Sequence, residues 1–424
     1  MRGGQDARWG AAASWALRLR LLGILALALC SLARSDSQQP PSAPVEETPL
    51  HTPPPASAYA GDAACAECHA SEAKTYFATA HFRDSSLASR KTILGDFTPG
   101  KNVLRTVNPN LIFAMIDAPD GFYQSAVNIA DPQHLSGEAQ KFDIVIGSGR
   151  HGQTYLYWKG DQLFELPVSY WTYTHEWINS PGYRDGQVDF NRPAEPRCLE
   201  CHATTFQMTP PPQNRYDPKS LVLGIGCETC HGPGAEHVAR ERSAHPAAAG
   251  AADIGIVNPA RLSRDRQMDV CGLCHASPGV PITPSLSFRP GDDLARYVKI
   301  TAPAPGAPVD VHGNQVNALE RSKCFSSGKL TCSTCHNVHR SQEQAASFSV
   351  HCLSCHTTHS CPRFRQLGES IRTRCVECHM PVGKSAAITS GLEGQLLQAE
   401  MRTHRIAIYP AASDGSTSGA AVRR

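Results

Sequence analysis

Seven times in this chain, two cysteines separated by two residues are followed at once by a histidine. The sets are Cys65, Cys68 and His69; Cys198, Cys201 and His202; Cys227, Cys230 and His231; Cys271, Cys274 and His275. They continue with Cys332, Cys335 and His336; Cys352, Cys355 and His356; Cys375, Cys378 and His379. Two thiols one helical turn apart can add across the two vinyl groups of one porphyrin, and the adjacent imidazole then reaches the iron. With 17 cysteines and 19 histidines in 424 residues, random order would give about 0.03 copies of the pattern. Structural zinc explains paired cysteines but not a histidine after every second one. A redox disulfide explains it no better. The spacing therefore predicts seven covalently attached haem c groups.

Sixth ligands decide what such irons can do. Twelve histidines lie outside the motifs: His51, His81, His134, His151, His175, His237, His245, His312, His339, His351, His359 and His404. After removal of the initiator, five methionines remain, Met115, Met208, Met268, Met380 and Met401, too few for seven irons. Histidine on both faces is the expectation, and it favours lower potentials than His/Met ligation. His237 follows a Gly-Pro-Gly break that turns the chain away from its own motif. His339 lies one helical turn past His336, so it should serve a neighbouring iron, and His359 repeats that spacing after His356. His81, His312 and His404 complete the favoured candidates. For each one the ordinary alternative is a solvated or hydrogen-bonding imidazole.

The elements that must hold these groups divide the chain into six stretches. Residues 1–33 read as a cleaved signal peptide: Arg2, Arg8, Arg18 and Arg20, then the apolar run Leu21–Ala33, too short for a comfortable membrane span. Export to the periplasm, or otherwise outside the cytoplasm, agrees with where haem is attached. Residues 34–58 are a Pro/Ser-rich linker, and 59–100 a first haem module with a helix over Ser71–Ala80. Residues 101–178 lack cysteine and are rich in β-formers. Leu111–Ile116 and Phe122–Val127 flank one turn, Tyr155–Trp158 and Leu163–Leu166 a second, so two hairpins are expected. Residues 179–381 carry six closely spaced motifs, and 382–424 form a C-terminal arm with a short amphipathic stretch, Leu392–Leu397, and a disordered tail. The expected fold is mainly α and irregular, with a porphyrin-built core and a small antiparallel β insert. Cys324 and Cys361, left over from the motifs, are expected to form a disulfide contributing about 2–4 kcal/mol.

Three stretches carry a family resemblance: Gly226–His237, Cys332–His339 and Cys375–Pro381. They resemble the multihaem c-type cytochromes that include the tetrahaem partner of hydroxylamine oxidoreductase, that octahaem enzyme and the pentahaem nitrite reductase. The resemblance extends loosely over Tyr59–Pro381. It implies a mainly helical fold with haems in stacked and perpendicular pairs. It also implies that His81, His237, His312, His339 and His404 are distal ligands supplied across haems. The chain departs from that group in having no CxxCK motif and no identifiable cross-linking tyrosine.

The net charge is +2, falls slightly below zero without the signal, and drops further with haem propionates. Nucleic acid is thereby disfavoured as a partner. The leading expectation is an electron carrier with closely packed bis-His haems, serving a redox partner protein that could be membrane-bound, while the carrier itself has no transmembrane span. The alternative is an oxidoreductase acting on a small nitrogen or sulfur compound at one five-coordinate haem, with Arg150, His151, Tyr173 and His175 nearby. A third reading makes the β segment a docking module.

Overall fold

The computed structural model describes residues 49–409, except 132, 134, 135, 212, 244–254, 305 and 343. The expected signal peptide and tail, with Cys30, His134 and His245, lie outside the described residues. Residues from Leu50 onward form one unit.

Two short helices open it, α1 (Asp62–Cys68) and α2 (Ala70–Tyr76). The expected helix over 71–80 is thus shorter, and a turn follows it to strand β1 (Ser85–Leu87). Next comes the long β segment: β2 (Val103–Arg105), β3 (Leu111–Ala118), β4 (Gly121–Asn128), β5 (Ser136–Lys141), β6 (Ile144–Ile146), β7 (Gly152–Lys159), β8 (Gln162–Glu165), β9 (Val168–Trp171) and β10 (Glu176–Asn179). Strand β3 shows why: Leu111, Phe113 and Met115 alternate inward while their neighbours face outward, the period-2 pattern of a half-buried strand. It joins β4 across Pro119-Asp120, and β7 joins β8 across Gly160-Asp161. Strands β2 to β5 make a four-stranded antiparallel sheet. A six-stranded one runs β1-β6-β7-β9-β10, with β8 also on β7.

The remaining chain carries α3 (Pro196–His202), β11 (Ala203–Thr205), β12 (Val222–Leu223), α4 (Cys227–His231), α5 (Ala235–Glu241), α6 (Arg264–His275), β13 (Val280–Pro281), β14 (Val298–Lys299), α7 (Gln315–Glu320), α8 (Ala345–Leu353), α9 (Phe364–Leu367) and α10 (Cys375–His379). It closes with a long hairpin, β15 (Val382–Leu392) and β16 (Gln395–Arg402).

This corrects the expected fold class. Strand and helix are nearly matched in extent, so the chain is not mainly α. The expected core is corrected with it. Phe113, Met115, Tyr155, Tyr157, Leu166 and Val168 are fully enclosed, and Phe97, Phe142, Tyr155 and Tyr170 ring Trp177. The sheets thus bury a conventional apolar core of their own. They exceed the expected insert because three strands, β1, β15 and β16, come from the segments expected to be haem module and arm: β1 pairs β6, β15 pairs β16, and β15 packs beside β10, Asn179 Nδ2 donating to the Gly391 carbonyl at 2.6 Å. The amphipathic stretch Leu392–Leu397 is the tip of that hairpin, turning at Glu393-Gly394.

Candidate haem-binding sites

Every motif lies on or ends a short helical turn. Helices α1, α3, α4 and α10 consist mostly of motif residues, α6 and α8 carry one at their C-terminal ends, and a 3-10 turn (Cys332–Thr334) carries the fifth. A single turn sets the two thiols on one side and brings the histidine in behind them. Cysteine is among the most buried residue types, yet all fourteen motif cysteines keep part of their surface accessible.

Four motif imidazoles have an oxygen on Nδ1, which fixes the ring and leaves Nε2 for a metal. His231 Nδ1 is 2.8 Å from the Val257 carbonyl, and His379 Nδ1 is 2.9 Å from that of Ala407. His275 Nδ1 is 3.2 Å from Gln315 Oε1, and His202 Nδ1 is 2.6 Å from Asp84 Oδ2.

Three motif imidazoles face a second imidazole brought from elsewhere. Ring centres are 6.1 Å apart for His275 and His81, 6.0 Å for His231 and His339, and 6.1 Å for His336 and His404. Two metal–nitrogen bonds of about 2 Å each, plus roughly 1 Å from each nitrogen to its ring centre, span about 6 Å. The interplanar angles of 75°, 11° and 26° differ, as rotation about a shared axis permits. The donor set and its spacing therefore fit an iron porphyrin between each pair.

Electrostatics agrees. Loss of solvent lowers the pKa of His81, His231, His275 and His336, keeping these rings neutral as a metal requires, although His81 retains an exposed edge. His404 is pushed down to about 4, first by burial and then by His336, and its Nδ1 is buried without a partner. His202 goes the other way: burial would lower it, but the hydrogen bond and charge of Asp84 outweigh that and raise it.

Thiols of different motifs also meet. Cys65 stands beside Cys227, Cys201 beside Cys274, Cys271 beside Cys332, and Cys352 beside Cys375, each close enough to influence its neighbour's ionisation. The first motif therefore abuts the third, the fourth touches the second and the fifth, and the sixth abuts the seventh. Two buried carboxylates inside motifs lock these contacts. Glu228 accepts from the backbone N–H groups of Ala60, Gly61 and Gly234 at 2.7, 2.9 and 2.7 Å. Glu200 accepts from Arg197 and from Leu286 N–H, both at 2.6 Å, while Arg197 also donates to the carbonyls of Leu273 and Pro278.

Of the other candidates, His237 sits on α5 with a buried, unpartnered Nδ1. His312 is exposed, in the field of Asp310 and His202. Among the described residues neither faces a motif imidazole as the three pairs do. His359 packs on Phe364 instead. Tyr173 and His175 lie in the β9–β10 turn, Tyr173 Oη 3.5 Å from the Gln398 carbonyl; His151 accepts at its carbonyl from Thr172 N–H. Cys324 and Cys361 are free thiols, which corrects the expected disulfide. Asp84, Gln315, Glu200 and Glu228 escaped the sequence reading. The glutamates could have been flagged as acidic residues inside motifs, while Asp84 carries no such signal.

Residues 151–232, which hold the second and third motifs, match the family described as Cytochrome c554 and c-prime. The fold is similar to the crystal structure of the Outer Cell Wall Cytochrome OcwA, with TM-score 0.50 and 17% identity over 78% of this chain and 79% of that one. An undecahaem cytochrome from the S-layer of Carboxydothermus ferrireducens aligns at TM-score 0.32 and 18% identity, over 77% of this chain and 51% of its own. No curated protein sequence matches. A cytochrome family thus matches the part of the chain that holds two of the seven motifs, and the fold as a whole is similar to that of a solved cytochrome.

Proposed function

We propose that this chain is an exported seven-haem electron carrier whose irons are held by histidine on both faces. The observation that carries it is the set of facing imidazoles, His275/His81, His231/His339 and His336/His404, at 6.0–6.1 Å. In each pair the motif fixes one ring and a distant segment supplies the other. Residue His81 comes from the turn after α2, His339 from beyond the fifth motif and His404 from beyond β16. His237 and His312 are the remaining distal candidates, for motif histidines among His69, His202, His356 and His379.

Haem supplies reversible one-electron chemistry when bound. Burial keeps the imidazoles of His81, His231, His275, His336 and His404 neutral, Nδ1 partners fix four motif rings, and thiol pairs with the clamps of Glu228 and Arg197 hold neighbouring motifs together. Motif contact from the first through the third, and from the second and fifth through the fourth, supports closely spaced cofactors. The amino-terminal sequence, the motif chemistry and the likeness to a cytochrome named for the outer cell wall support a site of action outside the cytoplasm. Among the described residues no helix is long and apolar enough to cross a membrane. A redox protein is the proposed partner.

Haem stoichiometry and low-temperature EPR on the oxidised, exported protein test this reading. Seven covalent haems with all irons low-spin are expected. Fewer haems, or an iron that is high-spin and shifts with nitrite, hydroxylamine or cyanide, would overturn the carrier.

A further inference from the structure

The four motif histidines with a partner on Nδ1 are not equivalent. Three face neutral oxygens, from Val257, Gln315 and Ala407, whereas His202 faces the carboxylate of Asp84 at 2.6 Å. The backbone that carries this carboxylate is held from two sides. Asp84 N–H donates to the His81 carbonyl at 3.1 Å, and the Asp84 carbonyl accepts from Gly147 N–H. Ser85, its neighbour, pairs with Ile146 in the sheet and donates from Oγ to the His202 carbonyl. His202 is therefore gripped at ring and backbone by two consecutive residues. The same turn presents His81 to His275. Cys201 of the second motif stands beside Cys274 of the fourth.

We propose that Asp84 is a tuning residue, which makes the imidazole of His202 electron-rich and sets the haem of the second motif at a lower reduction potential than its own ligands would otherwise give. The inference rests on the haem reading above. An ionised acceptor draws the Nδ1 proton more strongly than a neutral carbonyl does, and the added electron density on Nε2 favours ferric over ferrous iron. A haem so tuned yields its electron readily and retains one poorly.

The test is a potentiometric titration of the full-length holoprotein, followed optically and by EPR, for wild type, Asp84→Asn, Asp84→Glu and Asp120→Asn. Asparagine keeps an oxygen for Nδ1 and removes the charge; Asp120→Asn removes the same charge from the β3–β4 turn. Expected in Asp84→Asn is one one-electron step moving upward by about 59 mV or more, a tenfold change in its oxidised-to-reduced ratio, with the other steps in place. Glutamate should restore most of the wild-type value, and Asp120→Asn should leave all steps unmoved. Unchanged steps in Asp84→Asn, a uniform shift of all of them, or the same shift in Asp120→Asn would overturn the assignment. Peptide mass spectrometry separates the two levels. A second motif without haem overturns both readings, whereas a loaded motif with an unmoved potential overturns this one alone.

Discussion

Asp62 Oδ1 accepts the backbone N–H of Cys227 at 2.8 Å, so a residue of the first motif's helix caps the helix of the third. Glu228 returns the favour, accepting from Ala60 and Gly61 just ahead of α1. Reciprocal capping of this kind satisfies N-terminal donors that a short helix cannot satisfy itself. It also explains how two motifs 162 positions apart (Cys65 to Cys227) share a thiol contact.

Glu228→Ala would strip the acceptor from three N–H groups at once. Each donor left unmet in a buried setting costs about 1–3 kcal/mol, and one or more will recruit water, so a loss of about 3 kcal/mol is expected. Thermal unfolding of the holoprotein measures it. Asp62→Asn, which keeps an acceptor oxygen, should cost far less; equal losses from the two would refute reciprocal capping.

Removing a distal ring should act on one iron each time. His81→Ala, His339→Ala and His404→Ala are each expected to convert a single low-spin haem to high-spin with haem content unchanged, as read by EPR. The double variant of His339 and His404 should lose two low-spin signals, since their partners, His231 and His336, belong to different motifs. A single substitution that alters two irons would contradict the pairing.

How much of this was legible beforehand depends on the range of the forces involved. The motifs are local chemistry, and Cys65 to His379 could be read directly. The hairpins were local too: alternation at Leu111, Phe113 and Met115 and turns at Pro119-Asp120 and Gly160-Asp161 sit within a few residues of each other. What escaped was long-range. Strand β1 pairs with β6 nearly 60 residues later through three small or polar-flanked positions, Ser85, Ser86 and Leu87, which carry no strand signal alone. Strand β15 includes Ser385, Ala386 and Ala387, where propensity is weak and tertiary pairing decides. Asp84 reached His202 for the same reason, through a fold-level contact of 118 positions.

Gly224 marks where the turn carrying His81 and Asp84 is closed from outside. It adopts φ +79°, and a Cβ there would run into the Phe82 carbonyl. Its N–H donates to Ser85 Oγ at 2.8 Å. Gly224→Ala should cost about 2–4 kcal/mol from overpacking together with an unfavourable left-handed backbone. Thermal unfolding should show that loss, and the EPR signal of the His81-ligated haem should broaden. A variant as stable as wild type would mean the turn has slack.

Glu165 supplies a pH dependence of its own. It stands on β8 in the shell of the aromatic core, and burial raises its pKa from 4.5 to about 7, with Arg192 at 3.3 Å opposing the shift only in part. In the unfolded chain it ionises near its ordinary value, so between about pH 4.5 and 7 the folded state binds more protons than the unfolded one. Stability contributed by this group is therefore present at low pH and is lost as pH rises through that window, by about 3 kcal/mol. Glu165→Gln, neutral throughout, should flatten this part of the profile and be more stable than wild type above pH 7. Denaturant unfolding of the holoprotein at pH 5 and pH 8 checks it: parallel pH profiles for the two proteins would show that Glu165 ionises at its ordinary value in the fold.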